Sequence, residues 1–385
     1  MQPFSRREGN KLWLPALATA HSHAFQRGLR GKAQRKGNPN ENFWTWRGAM
    51  FNLADSLTPE SIDTLSRQAF RELRLAGVRT VGEFHYVHHQ SGGHPYDDRT
   101  LLADIVIRAA LDEGLRITLL RTAYNRGGFE REIERAQLRF SDTNVDDVMR
   151  DTETLISRYA RDPRVRIGLA PHSVRAVPPE WLAPLGQVAE RHNLPLHMHV
   201  SEQVREVDEC IAETGRRPLE FIRDSGLLSA RFCAVHATQL SHDEVRMLGE
   251  AHAFACLCPT TERDLGDGIA GITALREAGV RLCTGIDSHI VTDPIEELRS
   301  LETHERLRTR TRITFDPQGR TPAEALWLDG SLNGALACGF SDTGGEIAID
   351  AEHESLRFVR DDQLLDAVVF SGSTHALVLN ESARR

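Results

Sequence analysis

No run in this chain approaches the ~18–20 consecutive apolar residues that cross a bilayer, so the sequence offers no membrane-spanning helix. Positive charge is not in excess either. Against 55 acidic residues stand 47 lysines and arginines, a net charge of −8 with an isoelectric point near 6.1. That balance argues against nucleic acid or an anionic membrane as partner. Cys-x-x-Cys spacing is missing. The six cysteines (Cys210, Cys233, Cys256, Cys258, Cys283 and Cys338) are scattered, most of them inside apolar runs. They read as buried thiols of a reducing compartment, the cytoplasm, rather than as bridges or a zinc knuckle. Low-complexity tracts, linkers and internal repeats are absent as well.

What the chain has is alternation. Its 385 residues are 40% hydrophobic and 26% charged, ordinary for a soluble globular protein, and the length suits one large barrel or sheet domain with an appendage. Short β-rich apolar runs lie at 12–20, 78–84, 116–124, 165–171, 194–200, 232–237, 253–257 and 281–286. Charged stretches with helical period follow them, at 59–75, 100–113, 145–159, 179–192, 241–251 and 294–308. Thr58-Pro59-Glu60 and Asp293-Pro294 put a capping residue before a first-turn proline, and Gly77, Gly114 and Gly279 stand where helices should stop. Eight such units predict an α/β chain, a TIM-type (β/α)8 barrel over residues 12–338 with its active site at the C-terminal ends of the strands. A doubly wound sheet is disfavoured because no Gly-rich phosphate loop follows the first strand.

The termini, residues 1–11 and 339–385, predict a small, reduced β appendage. Its strands are expected at 344–349, 356–359 and 367–370, after a helical stretch from 321 to 338. Residues 125–145 predict an irregular active-site loop. Arg6-Arg7, Lys11 and Ala18-Thr19-Ala20 resemble a secretory signal. Their apolar core is short and broken by Pro15, and the run reads better as the first barrel strand.

That first run ends in His21-Ser22-His23. Along a strand, residues i and i+2 share a face, so both imidazoles can grip one ion. Alone the pair is weak; its partners give it meaning. The fifth strand ends in His197-Met198-His199 with Glu202 three residues on, the sixth ends at His236, and the eighth ends at Asp287-Ser288-His289. A single strand-end His is usually a hydrogen-bonded core residue, and an Asp before Ser is often a cap. All of them together on the functional face suit one divalent metal ion, Zn²⁺ or alternatively Fe²⁺, with one position left for water.

The pattern resembles the amidohydrolase superfamily, in its mononuclear deaminase branch with His-x-x-Glu on strand five. Three segments are more particular: Trp44-Thr45-Trp46-Arg47, Glu83-Phe84-His85-Tyr86 and Ala170-Pro171-His172-Ser173-Val174-Arg175. With Ser201-Glu202-Gln203, Thr260-Thr261-Glu262 and Leu265-Gly266-Asp267-Gly268, they resemble the members that deiminate N-formimino-L-glutamate in histidine degradation. The resemblance implies that His21, His23, His199 and Asp287 hold the metal. It makes Glu202, His236 and Asp287 catalytic, and it gives Gln26, Arg47, Tyr86, His172 and Arg175 to the substrate. The expected partner is a small molecule with carboxylates, for which an arginine fork suits in bidentate geometry. Relatives carry a longer N-terminal segment belonging to a β-sandwich, so the sandwich is expected to be reduced and a homodimer is left open. The alternatives are a nucleobase or pterin-like ring, another formimino or guanidino acid, or a non-catalytic metal-binding relative.

Other features read blandly. His85, His88, His89 and His94 are expected to be loop and strand-end residues around Tyr86 rather than a second metal site. Trp44 and Trp46 should anchor Arg47, and the charged residues 302–312 should be a solvated helix face.

Overall fold

The computed structural model describes residues 5–34, 42–315, 319–374 and 378–379. Twelve strands form two sheets among them. Four make a small antiparallel sheet: β1 (Arg6–Glu8), β2 (Lys11–Pro15), β11 (Glu346–Asp350) and β12 (Val378–Leu379), in the order β1-β2-β11-β12. The other eight are parallel and neighbour one another in chain order: β3 (Leu17–Ser22), β4 (Val78–His85), β5 (Arg116–Ala123), β6 (Val165–Pro171), β7 (Leu196–Val200), β8 (Phe232–His236), β9 (Phe254–Leu257) and β10 (Arg281–Thr284). A parallel bridge between Ser22 and Asp287 joins the last strand's exit to the first strand. The (β/α)8 barrel expected from the sequence is the fold, and no helix among the described residues is long and apolar enough to cross a membrane.

Local chemistry explains the elements. The strands are buried along almost their whole length, as strands covered by helices outside and packed side chains inside must be, and their sequences are near-continuous apolar runs. Helix Pro59–Leu75 starts at Thr58, whose hydroxyl accepts from Ser61 N while Ser61 Oγ accepts from Thr58 N. Ile62, Ala69, Phe70 and Leu73 face the barrel.

Three expectations change. The run at 12–20 is two strands. Leu12 and Leu14 belong to the small sheet, where β2 pairs with β11, and the chain changes partner at Ala16, whose N–H goes to Gly345 O while that of Leu17 goes to Gly77 O. The barrel therefore begins at Leu17, and residues 12–15 fall with the appendage. In the appendage, 344–349 corresponds to β11, but 356–359 is irregular and 367–370 lies within helix Leu364–Ser371. Val368-Val369-Phe370 has strand propensity; burial of Leu364, Leu365, Val368 and Val369 on one face follows the helical period, and packing decides. The ends of the appendage, 1–4, 375–377 and 380–385, lie outside the described residues. Lastly, the charged stretch 302–312 is not a purely solvated face. Glu302 and Glu305 are buried, Glu302 taking the N–H and hydroxyl of Thr314 and Glu305 taking Thr273 N and Arg308.

Candidate active site

Barrel closure builds the site. His23 N donates to Asp287 O and Asp287 N to His21 O, so the backbones bearing the two His and the Asp are joined directly. Gly285 permits the approach: a Cβ there would stand 2.7 Å from His21 Cβ and 2.8 Å from Cys258 Sγ. His236 and Asp287 adopt positive φ, 68° and 54°, a conformation costly to a non-glycine residue and concentrated at functional sites.

His23 and His199 are set in one tautomer. A carbonyl oxygen can only accept, so His23 Nδ1–H donates to Phe84 O (2.9 Å) and His199 Nδ1–H to His172 O (3.0 Å). Each Nε2 keeps its lone pair for the site. His23 Nε2 and His21 Nε2 both lie 3.4 Å from Asp287 Oδ1. His21 is completely buried, yet among the described residues neither ring nitrogen has a hydrogen-bond partner. A buried imidazole left this way is costly unless something else takes its lone pair. Ligand atoms of His21, His23 and Asp287 lie within 4.8 Å of one another, and so do those of His21, His199 and His236. Burial pushes His21 down to about 3, against the opposing pull of Asp287, and also lowers His23 and His199. Neutral imidazoles beside an ionised carboxylate are the donor set a divalent ion takes, and the residues fit one.

His236 differs. Burial would lower it, but Glu202, Glu262 and Asp287 surround the ring and together push it up to about 10. Its Nε2 stands 3.7 Å from Glu202 Oε1 and 3.8 Å from Asp287 Oδ2, and its Nδ1 stands 3.3 Å from Glu262 Oε1. It lies among three carboxylates, one of them Asp287 of the His/Asp cluster.

Glu202 Oε2 is held by Arg175 Nη2 at 2.5 Å, and Arg175 Nε lies 3.5 Å from Glu206 Oε2. Arg175 is buried, with its guanidinium over the rings of Phe43 and Trp44. Arg47 comes from helix Phe43–Ser56, which Asn42 caps; its Nη2 donates to Tyr124 OH and it lies over the Trp44 and Phe51 rings. Trp44 is thus the aromatic support expected for Arg47, and Trp46 lines the cavity itself. Gln26 Nε2 donates to Tyr86 OH, leaving Gln26 Oε1 buried without a partner, and His172 stands beside Tyr86, Tyr124 and His199.

All five residues expected to hold substrate line one cavity with His23, His199, Glu202, His236 and Asp287. His21 packs against His23 and His199 just behind it. The open space is about 40 Å³, and Phe43, Trp46, Met50 and Leu265 complete its lining.

The other histidines stay out of this cavity. His88 Nε2 meets Thr122 O and Arg121, His89 Nε2–H donates to Ser141 O, and among the described residues neither joins a metal-ligand group.

Four carboxyl groups went unassigned in the sequence. Glu83 accepts from Ser22 Oγ (2.6 Å) and Ala24 N (2.8 Å), strapping the residues on either side of His23; burial pushes it up to about 8. Glu262 accepts from Cys258 N and backs His236. Glu206 backs Arg175, and burial raises it to about 7. Asp267 lies within ligand distance of Glu202 and His236, and burial raises it to about 9. Glu83 lies within β4, Glu206 and Glu262 follow β7 and β9 within six residues, and Asp267 comes after the helix that follows β9.

Comparison with known proteins agrees with this geometry. The model of the amidohydrolase family matches residues 12–352. Formimidoylglutamate deiminase of Pseudomonas aeruginosa is 37% identical over 93% of this chain and 81% of its own length. The 8-oxoguanine deaminase of the same organism is 30% identical over 94% of this chain and 76% of its own. The crystal structure of an amidohydrolase from Brucella melitensis superposes with a TM-score of 0.86 at 31% identity, covering 97% of this chain and 90% of that one. A zinc-bound adenosine deaminase from Xanthomonas campestris, 21% identical with a TM-score of 0.79 over 96% of this chain and 79% of its own, shares the fold. The chain belongs to the amidohydrolase family and is a hydrolase acting on C–N bonds.

Proposed function

We propose that the chain hydrolyses N-formimino-L-glutamate to N-formyl-L-glutamate and ammonia, a step of histidine degradation in the cytoplasm. The observation that carries this reading is that two arginines, Arg47 and Arg175, line the same cavity as a His/Asp cluster, Arg175 also holding Glu202. A flexible dicarboxylate has two anionic ends for two cations; a flat ring has none. The 37% identity to a formimidoylglutamate deiminase supports it.

His21, His23, His199 and Asp287 would hold one divalent ion, Zn²⁺ in preference to Fe²⁺. Such an ion, when bound, supplies Lewis-acid activation of water near neutral pH. The remaining work belongs to the chain. Asp287 takes a proton from the attacking water, and His236, beside both carboxylates, orients the water's oxygen toward the formimino carbon. Glu202 protonates the terminal nitrogen. The C–N bond to that nitrogen breaks, ammonia leaves with the protons delivered, and the water oxygen remains as the formyl carbonyl. Arg47 and Arg175 bind the two carboxylates, with Gln26, Tyr86 and His172 around the connecting atoms.

The 30% identity to an 8-oxoguanine deaminase keeps ring deamination as the second reading. Product analysis after incubation of metal-loaded protein with N-formimino-L-glutamate tests the first. N-formyl-L-glutamate and ammonia in equal amounts support it; glutamate and formamide, or no reaction, contradict it.

A further inference from the structure

A second cavity, of about 690 Å³, lies at the opposite end of the barrel, where β6 and β8–β10 begin and the approach to β7 passes. We propose that this N-terminal mouth binds a small polyanion, a phosphate- or carboxylate-bearing metabolite, at a site separate from the catalytic one.

Four arginines line it: Arg161, Arg166, Arg231 and Arg281. Among the described residues none of them pairs with a carboxylate. Arg166 Nη1 donates to Val165 O (2.9 Å) and Pro163 O (3.2 Å), and Arg281 Nε donates to His252 O (3.0 Å). Carbonyls fix the orientation of a guanidinium but leave its charge uncancelled. Phe254 lies 3.7 Å beneath Arg281, and Phe340 4.9 Å from Arg166, so ring faces hold both cations in place. The acid in the wall, Asp162, is already taken by Arg164 at 2.7 Å.

Many other arginines of this chain do meet acids, as Arg121 with Asp151, Arg126 with Glu213 and Arg217 with Glu244. Acidic residues are in surplus, 55 against 47. Four like charges gathered in one concavity, with Asp162 turned to Arg164 and Asp342 bonded to Arg116, repel one another, and an anion relieves that repulsion. Guanidinium forks suit the paired oxygens of phosphate and carboxylate. The volume is that of a metabolite site, and Leu194 and Leu336 give a carbon skeleton an apolar floor.

The test is isothermal titration of the metal-loaded full chain with inorganic pyrophosphate and, separately, with citrate. The comparison protein is the double variant Arg166→Gln, Arg231→Gln, two side chains at the cavity rim and remote from the catalytic cavity. Saturable one-site binding of at least one anion, weakened about tenfold or more in the variant, is expected, with turnover in the absence of anion unchanged. Preference for pyrophosphate identifies a phosphate ligand, and preference for citrate a carboxylate one. Failure of both anions to saturate, or equal binding by the variant, overturns the proposal. So does a change of sedimentation coefficient in the variant without anion binding, which makes the cavity an interface between copies.

Discussion

Arg175 Nη2 and Glu202 Oε2 are hydrogen-bonded at 2.5 Å inside the catalytic cavity, both side chains buried. The arginine thus touches the acid proposed to deliver a proton as well as the place where a substrate carboxylate would sit. Among the described residues Arg47 has no such partner; it meets a tyrosine hydroxyl and ring faces. The two arginines should therefore fail differently. Arg47→Met should mainly raise KM, and Arg175→Met should lower kcat as well, each costing about 2–5 kcal/mol in kcat/KM. Metal content should stay constant in both. Identical kinetic signatures would separate Glu202 from Arg175.

Proton transfer gives a second expectation. Glu202→Gln and His236→Asn should each lose at least about 10²-fold in turnover, the scale of general acid–base groups. Glu202→Gln should keep its metal. Near-normal rates in either variant would mean the roles are misassigned.

Metal content gives a third. Elemental analysis of the purified protein should find about one divalent ion per chain, and His199→Ala or Asp287→Ala should lose it along with activity. Two tightly held ions per chain, or full activity after chelation, would contradict the single-ion site.

Much of this site was legible because its ligands end strands, and the strands announce themselves as apolar runs. His21, His23, His199, His236 and Asp287 needed no knowledge of distant contacts. Glu83, Glu206, Glu262 and Asp267 did: a carboxyl in or near a strand looks the same in sequence whether it is solvated, caps a helix or lies under an imidazole. The same blindness explains Glu302 and Glu305, charged residues of helix Pro294–Thr309 that the neighbouring elements bury. It also explains the join at Ala16, where hydrophobicity continues while hydrogen-bond partners change sheets.

Glu72 gives a pH expectation. It receives Arg27 (Nη2, 2.6 Å) and Arg30 (Nη1, 3.1 Å), tying the turn after His23 to helix Pro59–Leu75. Burial would raise its pKa, but Arg27, Gln68 and Arg30 outweigh burial and hold it at about 2, against 4.5 when unpaired. A depressed folded value stabilises the fold above the unfolded value, and that stability drains away as pH falls from about 4.5 toward 2. Glu72→Gln should therefore lower stability at pH 7, by about 1 kcal/mol once solvent screening of the partly exposed arginines is counted, and flatten its fall below pH 5, followed by thermal melts. Parallel wild-type and variant curves would show that the pair contributes nothing.

The most direct test of the central claim is ammonia release by metal-loaded protein across a panel of N-formimino-L-glutamate, guanine, 8-oxoguanine and adenosine. The site predicts a kcat/KM for the formimino dicarboxylate that exceeds every ring substrate by orders of magnitude, and that collapses in Arg47→Met and Arg175→Met. Comparable turnover of 8-oxoguanine or another nucleobase, unaffected by either arginine variant, would contradict it.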